Sequence, residues 1–180
     1  WRWETSDTCM VDEVRLDKTG QYLEIQTGKS ATGEPRQVIR NLSTGGQTIL
    51  YNGERDKPEG HYDLGRGFLV GWESSYGPRI QRRNASSPAS GYYALQKTGG
   101  WTSSGHISML ANNEGWALIS SYGMYGDSLR VTEPFQNEIF QVSTDGNWRV
   151  RRIARHYSHL DGDYWSMPRA NISRDGQFVT

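Results

Sequence analysis

Apolar residues recur at alternate positions over short runs, and each run ends in a polar turn that contains glycine. From Glu13 the chain places Val14 and Leu16 before Asp17-Lys18-Thr19-Gly20, then resumes with Tyr22, Leu23 and Ile25. Period-two patterning bounded by Gly, Asp and Asn predicts half-buried strands joined by tight turns. The plan returns from Ile107 through Gly115 to Ile119, and begins again from Ala170 through Gly176 to Val179. A shortened version runs from Tyr62 through Gly65-Arg66-Gly67 to Trp72.

A second kind of hairpin repeats one hundred positions apart. Ile39-Arg-Asn-Leu42-Ser43-Thr44-Gly-Gly46 matches Ile139-Phe-Gln-Val142-Ser143-Thr144-Asp-Gly146, with a further strand after each turn at 47–51 and 148–153. Self-similarity on this scale signals stacked repeats. The order is inner hairpin then outer hairpin, three times, followed by a fourth inner hairpin. This gives units at about 12–60, 61–105 and 106–167, and the start of another at 168–180. The third unit is stretched by loops at 122–134 and 157–167.

The phrase Ile172-Ser-Arg-Asp-Gly-Gln-Phe-Val179 resembles the S-P-D-G-K-x-[IL]-[AV] turn of TolB-like propeller blades, and Gly60-His61 and Gly105-His106 resemble the Gly-His of WD40 repeats. The resemblance covers the repeat only. It implies an all-β fold, a partial β-propeller of about three and a half four-stranded antiparallel blades in a single repeat domain. Each such sheet has two apolar faces that only neighbouring sheets bury. A β-sandwich or irregular barrel also suits short strands with glycine turns, but explains the offset matches less well.

Composition agrees with strands and turns. Aromatic residues make up 12%, with 21 Gly and only 6 Pro. Lys plus Arg and Asp plus Glu balance at 20 each, so no net field recruits nucleic acid or an anionic membrane, and neither is an expected partner. No apolar stretch reaches the roughly 18 residues of a spanning helix. The lone Cys9 forms no internal disulfide, and the sequons at Asn41, Asn84 and Asn171 carry little weight. The start at Trp1 and the end at Thr180 read as a fragment, so the expectation is that missing residues or a second copy close the ring.

The candidate chemistry gathers where one blade passes to the next. His61 and His106 each follow a glycine and precede an inner strand, while His156 and His159 lie in the connection toward the last one. In a propeller such connections run to the axis. With them travel Asp12, Glu13, Asp63, Asp161, Asp163, Tyr164 and Arg169. Neutral imidazoles suit a divalent transition metal, which makes His61, His106 and His159 the candidate ligands. No cofactor is otherwise expected. TolB-like propellers include oligogalacturonate lyases, and elimination from a uronate needs a base, an acid and a cation near the carboxylate. His106, Tyr164 and Arg169 are the candidate set, although no lyase motif carries over position by position. His61, Asp63, Trp101 and Trp165 are candidate ligand contacts, the tryptophans as sugar-stacking platforms. The competing reading, which outweighs catalysis, is that polar residues at blade boundaries bond the neighbouring blade's backbone.

No G-x-S-x-G elbow, P-loop or G-x-G-x-x-G fingerprint occurs. The basic runs 79–83 and 149–155 alternate with other residues and read as solvated outer strands. The leading expectation is a non-catalytic binding module for a protein or glycan. A polysaccharide lyase with an axial His/Tyr/Arg site is the second, and an engineered or shuffled half-propeller with no function beyond assembly is the third.

Overall fold

The computed structural model describes residues 11–27, 37–50, 61–73, 79–88, 92–97, 103–123, 133–158 and 166–180. The described residues form three antiparallel meanders. The first holds β1 (Val11–Leu16), β2 (Tyr22–Thr27), β3 (Gln37–Asn41) and β4 (Gln47–Ile49). The second holds β5 (Tyr62–Leu64), β6 (Phe68–Glu73), β7 (Arg79–Asn84) and β8 (Tyr92–Lys97). The third holds β9 (Ser104–Ser108), β10 (Trp116–Tyr122), β11 (Glu138–Ser143) and β12 (Val150–Arg155). A bridge between Ile172 and Val179 opens a fourth hairpin.

The apolar cores lie between sheets rather than within one. Phe68, Val70, Trp72, Ile80 and Leu95 of the second sheet pack on Ile107, Met109, Ile119, Phe140 and Val142 of the third. Ile39 and Leu50 meet Tyr62, Leu64 and Leu69. Ala111 and Leu118 meet Ala170 and Ile172. The inner strands β1, β5 and β9 lie against one another in turn around a common axis. Sheets stacked face to face about an axis are propeller blades, and the fold is a partial β-propeller of about three and a half blades.

Burying both faces of a blade decides which charged strands see water. The run 149–155 does form an exposed outer strand, with Arg151 lying 3.7 Å over the Trp116 ring. The run 79–83 does not. It forms the third strand of a central blade, where Arg83 is fully buried and donates to the Pro88 carbonyl at 3.0 Å, and Arg82 lies 3.8 Å over the Phe68 ring. Its alternation records two packed faces, not one solvated face.

The repeated turn is reproduced bond for bond. The Asp17 amide donates to the Tyr22 carbonyl at 2.9 Å, and the Ser173 amide to that of Phe178 at 2.9 Å. The Asp17 carboxylate accepts the Gln21 and Tyr22 amides at 2.9 and 2.8 Å, where the Ser173 hydroxyl accepts those of Gln177 and Phe178 at 3.2 and 3.0 Å. Gly20 and Gly176 close the turns at φ of 73° and 76°, a region that costs residues with a Cβ. Asp17 does more: its other oxygen takes the Gly67 amide at 2.9 Å and so ties the first turn to the second. Burial opposes the charge, but hydrogen bonds from Thr19, Tyr22 and Gly67 hold the Asp17 carboxyl below the ordinary range.

Among the described glycines, Gly105 marks a close blade-to-blade approach. A Cβ there would stand 2.9 Å from Trp72 Cζ3 and 3.1 Å from the Ser120 carbonyl oxygen. We expect Gly105→Ala to cost about 2–3 kcal/mol through overpacking, and Gly20→Ala, which meets no neighbour, to cost about 1 kcal/mol through φ alone. Urea denaturation of the two variants checks the ranking. An equal loss would show that the seat of Trp72 against β9 is not tight.

Candidate functional site

Strand pairing fixes which inner-strand residues are equivalent. Arg15, Asp63 and Ser108 sit opposite Glu24, Val70 and Leu118 in their own blades. Glu13 pairs Gln26, His106 pairs Ser120, and the His61 carbonyl accepts the Trp72 amide at 2.8 Å. Counting back from the matched turns places Arg169 with Glu13 and Asn171 with Arg15. Two tiers therefore face the axis. One is Glu13, His61, His106 and Arg169; the other is Arg15, Asp63, Ser108 and Asn171. All but Ser108 line a cavity of about 570 Å³, with Gln26, Tyr62 and Leu110 completing the wall used below.

The polar groups here bond from blade to blade. The Arg15 guanidinium donates to Asp63 Oδ1 at 2.9 Å, and through Nε at 2.8 Å and also through a second nitrogen to Glu13 Oε1. Asp63 Oδ1 also accepts its neighbour Leu64 amide at 2.9 Å, while Oδ2 accepts the Met109 amide of the third blade at 2.6 Å. Burial works against the Arg15 charge, but Asp63 and Glu13 hold its pKa above the usual value. Behind this pair, the Tyr62 hydroxyl donates to Glu24, which is wholly buried. Burial pushes the Glu24 carboxyl up to about 7 against the opposing hydrogen bonds from Tyr62 and Gln37. Burial and the adjacent Glu24 push the Tyr62 phenol upward as well.

The two histidines stack with ring centroids 4.1 Å apart. His61 Nε2 shares a hydrogen bond of 2.8 Å with the Tyr122 hydroxyl. His106 Nδ1 lies 2.9 Å from the Pro168 carbonyl, which can only accept, so Nδ1 carries the proton. The neutral ring then has its lone pair on Nε2, a buried atom with no partner among the described residues. Burial, then His106, Arg169 and Arg15, lower His61 to about 4. Burial lowers His106 too, helped by Arg169 and Arg15 and opposed by the Pro168 carbonyl. Both rings are neutral at pH 7.

Of the sequence candidates, the structure brings His61, Asp63, His106 and Arg169 together, with Glu13. Trp101, His159, Asp161, Asp163, Tyr164 and Trp165 lie outside the described residues. His156 stands elsewhere. It follows the outer strand β12, where its Nε2 donates to the Ser121 carbonyl at 2.6 Å. Among the described residues no group of three or more His, Cys, Asp or Glu could hold a metal ion. Arg15, Glu24, Gln26, Tyr62 and Tyr122 were not anticipated. For Arg15 a signal existed, since Glu13 and Arg15 share one face of an alternating strand. Tyr122 was assigned to a loop but ends β10 and is buried.

No protein-family model matches the chain, and no curated protein matches it. The fold is similar to that of TolB from Acinetobacter baumannii, a β-propeller protein known from a crystal structure, with a TM-score of 0.58 at 14% identity. The match covers 98% of this chain and 38% of that one, and at this identity it speaks for the fold alone.

Two shifted groups oppose each other with pH. The raised Glu24 favours the folded state below about pH 4.5, and this contribution is lost as pH rises through 7. The lowered His61 contributes above about pH 6.5, and this is lost as pH falls through 4. Between pH 4 and 7 the two offset. Glu24→Gln removes one side, so its stability relative to the parent should worsen by up to about 3 kcal/mol on going from pH 7 to 4.5. Urea melts at pH 4.5, 5.5 and 7 measure this, and a constant difference would mean that the Glu24 carboxyl titrates alike in the folded and unfolded chain.

The Asp63 clamp is tested at fixed pH. Asp63→Ala leaves the Met109 amide and the Arg15 guanidinium short of a partner, an expected loss of about 2–4 kcal/mol. A loss below about 1 kcal/mol, typical of exposed pairs, would show that the clamp does not hold the blades.

Proposed function

We propose that this chain is a non-catalytic propeller binding module that takes a segment of a protein or a glycan into its axial cavity. The observation that carries the reading is the commitment of the cavity's reactive groups to neighbouring blades. His106 is tied to Pro168, His61 to Tyr122, and Asp63 to Arg15 and Met109. A general base or acid must be free to exchange a proton with substrate. Both Asp63 oxygens and His61 Nε2 are committed to neighbouring groups, and the His106 proton is held by the Pro168 carbonyl, which leaves only its buried Nε2 lone pair. The cavity itself remains open, with a volume in the usual range of ligand sites.

The lyase reading fits less well. Neutralising a uronate calls for a cation whose charge is not already balanced, and the Arg15 guanidinium is paired with both Glu13 and Asp63. Arg169 is itself partnered.

Leu110, 48% exposed, lines the cavity and tolerates a larger side chain without disturbing the cores. Leu110→Trp narrows the cavity. Ligands selected on the parent from a peptide display library and a glycan array should bind this variant at least about tenfold more weakly, with the thermal midpoint unchanged. Ligands that bind both chains equally would place recognition elsewhere and overturn the reading. So would conversion of a bound glycan to product, read by mass spectrometry and abolished by His106→Gln.

A further inference from the structure

We infer that the axial cavity receives an uncharged, hydroxyl-rich ligand, the end of a neutral glycan; this rests on the axial-binding reading above and names its ligand class. Three observations lead there.

The first is the charge balance of the wall. Among the described residues that line it, the formal charges are Glu13 and Asp63 against Arg15 and Arg169, which sum to zero. Arg15 is bonded to both carboxylates and Arg169 is partnered. A carboxylate ligand would lose its water beside two fixed carboxylates, and a cation would lose its water beside two guanidiniums. Each carries a desolvation cost that no uncommitted countercharge repays.

The second is the character of the unanswered groups. Gln26 Oε1 and His106 Nε2 are buried with no hydrogen-bond partner among the described residues. Gln26 Oε1 is an acceptor, and the Nδ1 bond to Pro168 makes His106 Nε2 one too. Buried acceptors call for donors. The His61 ring lies beside that of His106, with centroids 4.1 Å apart. Sugar hydroxyls both donate and accept, and can return a bond to the Asn171 amide on the same wall.

The third is the shape of the passage. At the turn end of the axis, Lys18 of the first blade reaches the Ala111 carbonyl of the third at 2.6 Å and Glu114 at 3.0 Å. Arg66 of the second blade joins Glu114 at 3.5 Å. This bridge ties three blades together at that end, which favours entry of a ligand's end over a chain threaded through. A peptide end carries a charge, whereas the non-reducing end of a neutral glycan carries only hydroxyls.

The test titrates the chain, labelled with ¹⁵N at histidine, with maltohexaose, cellohexaose, chitohexaose, hexagalacturonate and a hexapeptide with free termini. We expect one of the neutral oligosaccharides to bind at least about tenfold more tightly than hexagalacturonate or the peptide and to move the His106 Nε2 resonance. Leu110→Trp should abolish this binding. Gln26→Leu should weaken it about fivefold or more, the worth of one lost buried hydrogen bond. Tighter binding of hexagalacturonate or the peptide, blocked by Leu110→Trp, would overturn the ligand class and leave the axial reading standing. If no probe distinguishes the parent from Leu110→Trp, both fall.

Discussion

One carboxylate holds the centre of this molecule together. Asp63 sits on the inner strand of the second blade, takes the guanidinium of Arg15 from the first and accepts the Met109 amide from the third. The apolar cores supply most of the driving force for stacking, but they are non-directional and would allow one blade to slide along another. Hydrogen bonds have direction and length. The Asp63 clamp, with His61 on Tyr122 and His106 on Pro168, sets the height of each inner strand relative to the next. The width and lining of the axial cavity follow from that setting.

The arrangement leaves little for catalysis and much for recognition. Groups that fix the blades cannot easily give up protons or partners during a reaction, since breaking a buried pair costs several kcal/mol. Burial keeps the same groups neutral or paired, so the cavity presents hydrogen-bonding capacity without net charge. Glu24 and His61, pushed in opposite directions by the same burial, show that the inter-blade space is dry enough to penalise charge of either sign.

The repeats were legible because their signals are local. The Gly20 and Gly176 turns need a positive φ and an oxygen three or four residues earlier, and both demands appear within six residues of sequence. Blade-boundary histidines could be seen by residue type, and Asp63 by its place beside them. Tyr122 and Glu24 could not. Their partners lie in the adjacent blade, 61 and 38 residues away, and only the stacked register brings them together. Arg83 misled for a related reason: a charged residue in an alternating strand reads as solvated unless one knows that a central blade is covered on both faces.

The equivalent positions of successive blades carry different charges, and that difference is itself a condition of assembly. The first tier runs Glu13, His61, His106, Arg169, and the second runs Arg15, Asp63, Ser108, Asn171. Backbone pairing places these side chains whatever they are, so the repeat does not dictate their chemistry. Four like charges at such separations would repel by about 1–4 kcal/mol per close pair even with solvent screening. A perfectly repeated ionisable residue would therefore push the axis apart. The chain instead mixes acid, base and neutral groups, and Arg15 meets Glu13 in its own blade and Asp63 in the next. The axis of a propeller can hold ionisable residues only if their sequence departs from the repeat, and this is why the turns and apolar faces carry the fold while the axial tiers carry whatever is particular to this protein.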